Sequence, residues 1–500
     1  MSRLPFKSKF SVLLAEITEV SVDIDCDIQA LTLDSREVSA GCLFVALKGV
    51  AQHGLSYAEK ASDLGAVAVI WESDDSVSLP SLSIPLIEIS DLRNHLGLIA
   101  DRFYGSPSQS LNMIGITGTD GKTSVSHFLA QSIPHSAVIG TIGLGPLDKL
   151  QKATLTTPDV LTVHKNLEEM QAADVKTVAM EVSSHALDQG RVANVAFDVA
   201  VLTNLSRDHL DYHKTVEAYA DAKAKLFSWP SLKAVVLNLD DTFGRGLAKK
   251  LKNIKTRGGV LINYGVGDLN AYPDGSLVAV KSVYDGNGIS ATVHFGDQTA
   301  QLSVSVLGRF NLSNLLAATG AMLAAGDSLQ DVIARLNDVH TVAGRMEKVT
   351  ASNADFLTVV DFAHTPNALS SVLKALREHT KNKLICVFGC GGDRDAGKRP
   401  LMAAIAEQGA DIVIVTDDNP RTEDPQKIVR DITVGFKNTD NIIVEHDRAA
   451  AIKLAISSAK SGDAVLIAGK GHESQQILAT GSVPFNDGEQ ARMFLQELAA

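Results

Sequence analysis

Short apolar runs separated by polar turns recur along the chain, and between many of them apolar residues recur at helical spacing. Before a linker-like Tyr-Gly-Ser-Pro-Ser cluster at 104–108, the runs are 42–47, 66–71 and 84–89. The later runs lie at 111–116, 177–180, 199–203 and 234–237, and then at 357–360, 384–388, 412–415, 442–444 and 464–467. This alternation predicts an α/β protein with three domains, at residues 1–108, 109–340 and 341–500.

The three predicted domains have different patterns. The first is the smallest and is expected to be a small α/β domain. In the second and third, strand-length runs alternate with helical stretches, which predicts parallel, doubly wound sheets with helices on both faces. Residues 271–306 alternate polar and apolar positions more strictly, so we expect an antiparallel insertion or edge there.

Residues 115–124 carry the strongest chemical signal, the sequence GITGTDGKTS. They follow the predicted strand 111–116 and precede a predicted helix at 125–131. A glycine turn between a strand and a helix presents backbone N–H groups and a positive helix end to phosphate. Lys122 is then expected to reach the terminal phosphates, and Thr123 or Ser124 to hold Mg²⁺. The usual P-loop pattern has a glycine where this chain has Ile116, but the motif still predicts that the chain binds a nucleoside triphosphate.

Polar and charged residues follow six of the predicted strands. In open α/β sheets, ligands bind beyond the carboxyl ends of the strands, and six such loops predict a site in a cleft between two sheets. For Mg²⁺, which prefers oxygen ligands, the natural candidate is Glu181, together with Thr123 and His209. His209 has an alternative interpretation, a structural histidine bonded to Asp208 or Asp211. The helical pattern around Lys223 and Lys225 predicts surface lysines when it is considered alone.

Composition narrows the possible functions. The chain has 500 residues, of which 45% are hydrophobic, and a net charge of −12, which argues against a general nucleic-acid binder. Its four cysteines show no metal-ligand spacing and are expected to be reduced thiols. No apolar run is long enough for a signal peptide or a membrane span, so we expect a soluble, cytoplasmic protein.

A series of motifs in a fixed order resembles the Mur ligases of peptidoglycan synthesis, and most of all the members that add meso-diaminopimelate. The motifs are GTDGKTS, AMEVSSHALDQGR, TNLSRDHLDYH, AxAKxxLF, GRFNLSN, GRME, DFAHTP, FGCGGDRDAGKRP, TDDNPRTEDP and AGKGHE. The resemblance implies an N-terminal domain for a UDP-sugar, a central ATPase and a Rossmann-like C-terminal domain for the incoming amino acid. It covers the whole chain.

The resemblance also implies a reaction. ATP would phosphorylate the D-glutamate carboxylate of UDP-N-acetylmuramoyl-L-alanyl-D-glutamate, and meso-diaminopimelate would attack the acyl phosphate to form an amide. Lys223 matches a lysine that is carbamylated in this family, so it would join Thr123, Glu181 and His209 as a Mg²⁺ ligand. Lys122, Glu181, His209 and Lys223 are the implied catalytic residues. We expect a monomer with no nucleic-acid or membrane partner.

Binding residues follow from the same resemblance. Those implied for ATP are Gly118, Thr119, Asp120, Gly121, Lys122, Thr123, Ser124, Asn311, Arg345, Asp361 and His364. Those implied for the UDP-dipeptide are Leu33, Ser35, Thr156, Thr157, Ser183, Gln189 and Arg191. The segment after Gly49 departs from the family pattern, which leaves the contacts to uridine there open.

The C-terminal domain is expected to select the amino acid. meso-Diaminopimelate differs from lysine by one distal carboxylate, so discrimination requires a cation, and the residues implied are Arg394, Asp418, Asn419, Pro420, Arg421, Gly469 and Glu473. A lysine-adding ligase is the nearest alternative, and Arg421 of the DNPR motif argues against it. A folylpolyglutamate synthase usually has glycine where this chain has Thr123. A P-loop switch protein would leave the C-terminal motifs without a purpose.

Overall fold

The computed structural model describes residues 7–49, 52–251, 258–350 and 354–499. Residues 50 and 51, in the segment after Gly49 that departs from the family pattern, lie outside these ranges. The contacts group into two compact units, Met1–Ile262 and Asn263–Ala500. The domain boundaries near residues 108 and 340 stay predictions.

The first part of unit 1 is a small α/β domain. Its strands are β1 (Ser8–Lys9), β2 (Asp27–Ile28), β3 (Ala30–Thr32), β4 (Cys42–Ala46), β5 (Ala66–Glu72) and β6 (Leu86–Ile89), and its helices are α1 (Phe10–Leu13), α2 (Ala58–Asp63) and α3 (Leu92–Phe103). Strands β3 to β6 form a parallel sheet in chain order. The three predicted runs are therefore strands. β6 begins two residues later than predicted, just after Pro85, which has no N–H to donate.

A mostly parallel sheet forms the rest of unit 1. Its strands are β7 (Asn112–Thr117), β8 (Ser136–Ile139), β9 (Leu144–Gly145), β10 (Thr177–Glu181), β11 (Val199–Leu202) and β12 (Ala234–Asn238), in the order β12-β11-β7-β10-β8-β9. Only β9 is antiparallel to its neighbour. The helices are α4 (Lys122–Ser132), α5 (Val160–Ala172), α6 (Ser184–Asp188), α7 (Leu210–His213), α8 (Val216–Ala224) and α9 (Thr242–Lys250). Strands β10, β11 and β12 are buried along their whole length, as their apolar runs predicted.

The strand register brings three carboxyl ends to one edge of this sheet. Glu181, the last residue of β10, lies opposite Ile116 of β7. Leu202, the last residue of β11, lies opposite Thr117. The loops after β7, β10 and β11 therefore leave the sheet side by side.

Unit 2 begins with an antiparallel segment, as residues 271–306 predicted. Strand β13 (Val260–Val266) crosses the unit boundary, and β14 (Leu277–Asp285), β15 (Gly288–Phe295) and β16 (Gln298–Val304) follow. β14 pairs antiparallel with β15, and β15 with β16. Two helices, α10 (Arg309–Ala324) and α11 (Leu329–Leu336), come next.

The remainder of unit 2 is a doubly wound sheet. Its strands are β17 (Glu347–Val349), β18 (Leu357–Asp361), β19 (Leu384–Phe388), β20 (Ile412–Val415), β21 (Ile442–Val444) and β22 (Ala464–Ala468), in the order β17-β18-β22-β19-β20-β21, with all pairs parallel except that of β17. A separate hairpin consists of β23 (Gln475–Leu478) and β24 (Gly481–Pro484). The helices are α12 (Pro366–His379), α13 (Lys398–Gly409), α14 (Pro425–Thr433), α15 (Arg448–Ser458) and α16 (Asp487–Ala499). Two separate apolar clusters contain alternate residues of the same strands, so the sheet has a core on each face. The predicted fold class is confirmed. Within the described ranges, no helix has the length and apolar content that a membrane crossing requires.

Candidate active site

The glycine turn between β7 and α4 has the form of a phosphate cradle. Gly118 and Gly121 have φ of +152° and +84°, values that favour glycine. Helix α4 begins at Lys122, three residues earlier than predicted, directly after Gly121. Lys122, Thr123 and Ser124 therefore all lie in its first turn, where free backbone N–H groups and the helix dipole attract an anion.

Lys122 is turned onto its own loop. Its Nζ donates hydrogen bonds to the carbonyl oxygens of Gly118 and Thr119, both at 2.8 Å. Burial of this ammonium lowers the pKa of Lys122, while the nearby Glu181 carboxylate opposes that shift. The ammonium is partly buried and is held by neutral oxygens, and a bound phosphate would be a much stronger acceptor for it.

Glu181 lies beside the same turn and is 1% exposed. The hydroxyls of Thr123 and Thr141 donate to its Oε2, both at 3.0 Å, and the backbone N–H of Thr141 donates to its Oε1 at 2.9 Å. Burial raises the pKa of Glu181, and Lys122 and the hydrogen bonds oppose the rise. Glu181 is therefore a buried carboxylate that lies within hydrogen-bond distance of two hydroxyl groups. Carboxylate and hydroxyl oxygens are hard donors, which suit Mg²⁺.

Lys223 on α8 is buried, with 1% of its surface exposed. This differs from the surface position that its helical spacing alone predicted. Its Nζ donates to the carbonyl oxygen of Gly118 at 2.7 Å and lies 4.5 Å from the ring centroid of Tyr219. Burial, and then repulsion from Lys122, lowers the pKa of Lys223 to about 6. Lys225 is exposed and pairs with Asp188, as a surface lysine would.

His209 has the contacts of the alternative interpretation. Its Nε2 lies 3.3 Å from Asp208 Oδ2, and its ring packs against His185 at 4.8 Å between centroids. Its φ is +52° and its side chain is about half exposed. Across the described ranges, no three His, Cys, Asp or Glu side chains are grouped so as to hold a metal ion. The structure thus brings Thr123 to Glu181, and it places Lys223 against the glycine turn.

The Gly118 position permits a controlled test of the turn. A Cβ built on Gly118 would lie 1.8 Å from Thr203 Oγ1, so Gly118→Ala should destabilise the protein by roughly 2–4 kcal/mol and weaken ATP binding at least tenfold. Gly105→Ala is the matched control, because φ there is +73° but no atom lies within 4 Å of the built Cβ. Fluorescence titration with a nucleotide analogue and thermal unfolding measure both effects. Equal ATP affinity in the two variants would contradict the cradle geometry.

Five of the residues predicted for the UDP-dipeptide belong to a hydrogen-bond network that passes through Thr141 and Glu181. Arg191 donates to the carbonyl oxygen of Thr157 at 3.0 Å and to Gln189 Oε1 at 2.6 Å. The Thr157 hydroxyl lies 3.2 Å from Ser183 Oγ, and Thr156 Oγ1 lies 3.1 Å from the Thr141 hydroxyl. The other two predicted residues, Leu33 and Ser35, follow β3, where Leu33 is partly buried and Ser35 is buried.

Unit 2 gathers the predicted amino-acid residues at one sheet edge. Asn419 Nδ2 donates to Glu473 Oε2 at 2.8 Å, which joins the loops after β20 and β22. A Cβ built on Gly469 would lie 2.6 Å from Asp418 Oδ2, so these two residues are in close contact. Pro420 separates Asn419 from Arg421 in the same loop. The predicted set is therefore brought together by the sheet order.

Two arginines flank a glycine at this edge. A Cβ built on Gly391 would lie 2.8 Å from Arg421 Nη1 and 3.7 Å from Arg394 Cγ. Arg421 has φ of +56°, and its Nη1 donates to Gly392 O at 2.9 Å. Within the part of the chain that the structure describes, neither arginine forms an ion pair, so both cations are available to an anionic ligand.

The ATP residues predicted in unit 2 have distinct environments. Asp361 Oδ2 accepts the N–H of Met346 at 2.7 Å, which holds the segment with Arg345 at the end of β18. Burial raises the pKa of Asp361. The guanidinium of Arg345 lies 5.1 Å from the Phe362 ring centroid, and its buried Nε has no hydrogen-bond partner in the described structure. His364 is exposed, and Asn311 is buried on α10 and bonded to Leu307 O at 2.8 Å.

Three residues with a direct part in this geometry were not predicted. Thr141, between β8 and β9, holds both carboxylate oxygens of Glu181, and no motif marks it. Asn204 accepts the N–H groups of Thr119 and Asp120 and so shapes the glycine turn. Lys470 is fully buried against Asn419 and Glu473. Asn204 and Lys470 lie in the TNLSRDHLDYH and AGKGHE motifs, which could have indicated them.

Comparisons with known proteins identify the family. Family descriptions match three stretches of the chain: "Mur ligase family, catalytic domain" at 27–104, "Mur ligase middle domain" at 116–322 and "Mur ligase, glutamate ligase domain" at 344–471. The chain belongs to the Mur ligase family.

Two relatives and one solved structure show how similar the chain is to individual members of this family. The chain is 48% identical over 475 residues to the UDP-N-acetylmuramoyl-L-alanyl-D-glutamate--2,6-diaminopimelate ligase of Pseudomonas aeruginosa, covering 94% of this chain and 96% of that protein. It is 45% identical over 484 residues to the ligase of the same name from Xanthomonas oryzae pv. oryzae, covering 96% of each. A solved structure of a ligase with this name superposes with a TM-score of 0.76 at 35% identity, covering 99% of this chain and all of the other.

Proposed function

We propose that this protein is an ATP-dependent ligase that adds meso-diaminopimelate to the D-glutamate of UDP-N-acetylmuramoyl-L-alanyl-D-glutamate in peptidoglycan synthesis. The similar proteins from two genera carry a name for this reaction. The observation that carries the proposal is that one chain contains both a phosphate cradle, in unit 1, and two arginines without ion-pair partners in the described structure, in unit 2. Because the substrates are ATP and a nucleotide-activated precursor, we place the reaction in the cytoplasm.

The chemistry proceeds in two steps. The D-glutamate carboxylate attacks the γ-phosphorus of ATP, and ADP leaves with the electrons of the broken P–O bond. The free amine of diaminopimelate then attacks the acyl phosphate carbon, and the resulting tetrahedral intermediate releases inorganic phosphate and a proton. Lys122 and the first turn of α4 stabilise the charge that develops on the transferred phosphoryl group.

Glu181 and Thr123 fit the Mg²⁺ that such a reaction uses. The Thr123 hydroxyl and Glu181 Oε2 are 3.0 Å apart. Glu181 is buried, and burial of its carboxylate is costly unless a cation balances the charge. When bound, Mg²⁺ would neutralise phosphate charge and orient the γ-phosphoryl group. We assign His209 to the same metal shell, although its contacts in this structure are Asp208 and His185.

Lys223 is proposed to carry a carbamate. An amine reacts with CO₂ only when it is neutral, and with a pKa of about 6 Lys223 is mostly neutral at pH 7.5. We expect removal of CO₂ to lower activity at pH 7.5 at least tenfold, and bicarbonate to restore it. Below pH 6 protonation of the amine favours loss of the carbamate, so activity should fall there.

Steady-state phosphate release in degassed buffer, with and without bicarbonate, measures this effect. Lys223→Ala should be inactive and insensitive to bicarbonate, because it has no amine. Lys225→Ala removes an exposed lysine that does not contact the glycine turn, so this variant should behave as the wild type. A wild-type protein that keeps full activity in CO₂-free buffer would disprove the carbamate.

Product analysis tests the proposed function directly. The protein is incubated with ATP, Mg²⁺, the UDP-dipeptide and either meso-diaminopimelate or L-lysine. The mass of the product is then measured by mass spectrometry. We expect a tripeptide with diaminopimelate and little product with lysine. A product formed only with lysine would overturn the assignment in favour of a lysine-adding ligase, and phosphate release without any amino-acid product would overturn the ligase assignment itself.

A further inference from the structure

Lys470 is a fully buried lysine that lies outside the residues assigned so far to the reaction. It follows β22 and lies between Gly469 and Gly471, whose φ are +122° and +52°. Its Nζ donates to Asn419 Oδ1 at 3.0 Å, to Glu473 Oε2 at 2.8 Å and to the carbonyl oxygen of Gln475 at 2.7 Å. All three ammonium hydrogens are therefore used.

These bonds determine which way the Asn419 amide points. Asn419 Oδ1 accepts from Lys470 and from the backbone N–H of Ile477, at 2.9 Å. Both partners can only donate, so the oxygen must face them, and Nδ2 must face Glu473. The Nδ2–Glu473 Oε2 distance of 2.8 Å agrees with this orientation.

The same bonds leave one donor and one acceptor for a ligand. Of the two Asn419 amide hydrogens, one is directed to Glu473, and the other has no acceptor within the described residues. Glu473 Oε1 likewise has no donor there, because Lys470 and Asn419 both bind Oε2. Burial opposes ionisation of Glu473, but the hydrogen bonds from Lys470 and Asn419 prevail and lower its pKa. A free N–H beside a free carboxylate oxygen matches the carboxylate and ammonium of an amino acid.

We infer that Lys470 is a positioning residue that fixes the donor and acceptor polarity of the amino-acid subsite by holding Asn419 and Glu473 together. It acts through these two side chains, because its own hydrogens are all used within the protein. The inference rests on the proposed function and deepens it, since it concerns recognition of the incoming amino acid. Loss of the ammonium would free the amide to rotate and leave Glu473 without its strongest partner.

Lys470→Met tests this role in the full-length protein. The KM for meso-diaminopimelate should rise roughly 10- to 100-fold, the effect of losing hydrogen bonds to a charged group, while the KM values for ATP and the UDP-dipeptide stay within about twofold. Lys348→Met is the control, because Lys348 is a partly buried lysine outside the amino-acid subsite whose ammonium, like that of Lys470, donates to a backbone carbonyl oxygen, that of Gly286. It should leave all three constants unchanged.

A mutant cycle separates positioning from a general structural effect. If Lys470 acts only through Asn419 and Glu473, then adding Lys470→Met to a variant that carries both Asn419→Ala and Glu473→Gln should raise the KM for diaminopimelate less than threefold beyond that variant alone. Independent, multiplying effects, or an unchanged KM in Lys470→Met, would overturn the inference. If Lys470→Met does not fold, as judged by thermal unfolding, Lys470→Gln takes its place in the same cycle. A wild-type protein that adds no amino acid to the UDP-dipeptide would instead refute the proposed function.

Discussion

Lys122→Ala is expected to lower the rate of amide formation by roughly 10³-fold. Lys122 is the cation of the glycine turn, and its ammonium lies 2.8 Å from the Gly118 and Thr119 carbonyl oxygens, ready to exchange them for phosphate oxygens. Its removal has a second effect, since Lys122 also lowers the pKa of the buried Glu181. The carboxylate would then be harder to ionise and a weaker ligand for Mg²⁺.

The measurement is kcat and kcat/KM for phosphate release with all three substrates present. Because the interaction strengthens as charge develops on the phosphoryl group, kcat should fall more than ATP affinity. Lys225→Ala is the control, since its exposed ammonium pairs with Asp188 on the same unit, and it should change neither constant. A Lys122→Ala protein within threefold of wild-type kcat would remove this residue from the phosphate cradle.

Much of the fold could be predicted because its strands are buried apolar runs. The predicted runs 384–388, 412–415 and 442–444 coincide with β19, β20 and β21. Strands such as β3 (Ala30–Thr32), with three residues, are too short to give a periodic signal. The early start of α4 depends on the left-handed conformation of Gly121, which a search for apolar periodicity does not detect.

The environments of the site residues were harder to predict. Lys223 has the spacing of a surface residue on α8, and only its approach to Gly118, far away in the sequence, makes it a buried amine. Thr141 binds Glu181 through its hydroxyl and its backbone N–H, a contact created by the packing of β8 against β10. Local sequence patterns carry no information about such long-range contacts. The family motifs marked Lys223, but no motif marked Thr141.

Arg421→Ala is expected to lower kcat/KM for meso-diaminopimelate by roughly 10²–10³-fold. The Arg421 guanidinium is held by the Gly392 carbonyl oxygen at 2.9 Å and forms no ion pair in the described part of the chain. Diaminopimelate has a distal carboxylate that lysine lacks, and loss of its cation leaves this charge unpaired in the complex. The φ of Arg421 is +56°, a backbone conformation that strains arginine and alanine alike. The substitution therefore measures the loss of the side chain and not a change in backbone strain.

The pattern across substrates decides whether Arg421 is a specificity residue. With Arg421→Ala, kcat/KM for diaminopimelate should fall far more than that for L-lysine, while the KM for ATP stays constant. Arg394→Ala should have a smaller effect, about tenfold, because Arg394 is exposed and its only hydrogen bond in the described structure is to the Asp393 carbonyl oxygen. Arg430→Ala, which removes an exposed arginine that pairs with Asp424, serves as the control. A cation that recognises the distal carboxylate cannot be lost without reducing the preference for diaminopimelate over lysine. If Arg421→Ala kept the wild-type preference, the distal carboxylate would therefore have to bind elsewhere.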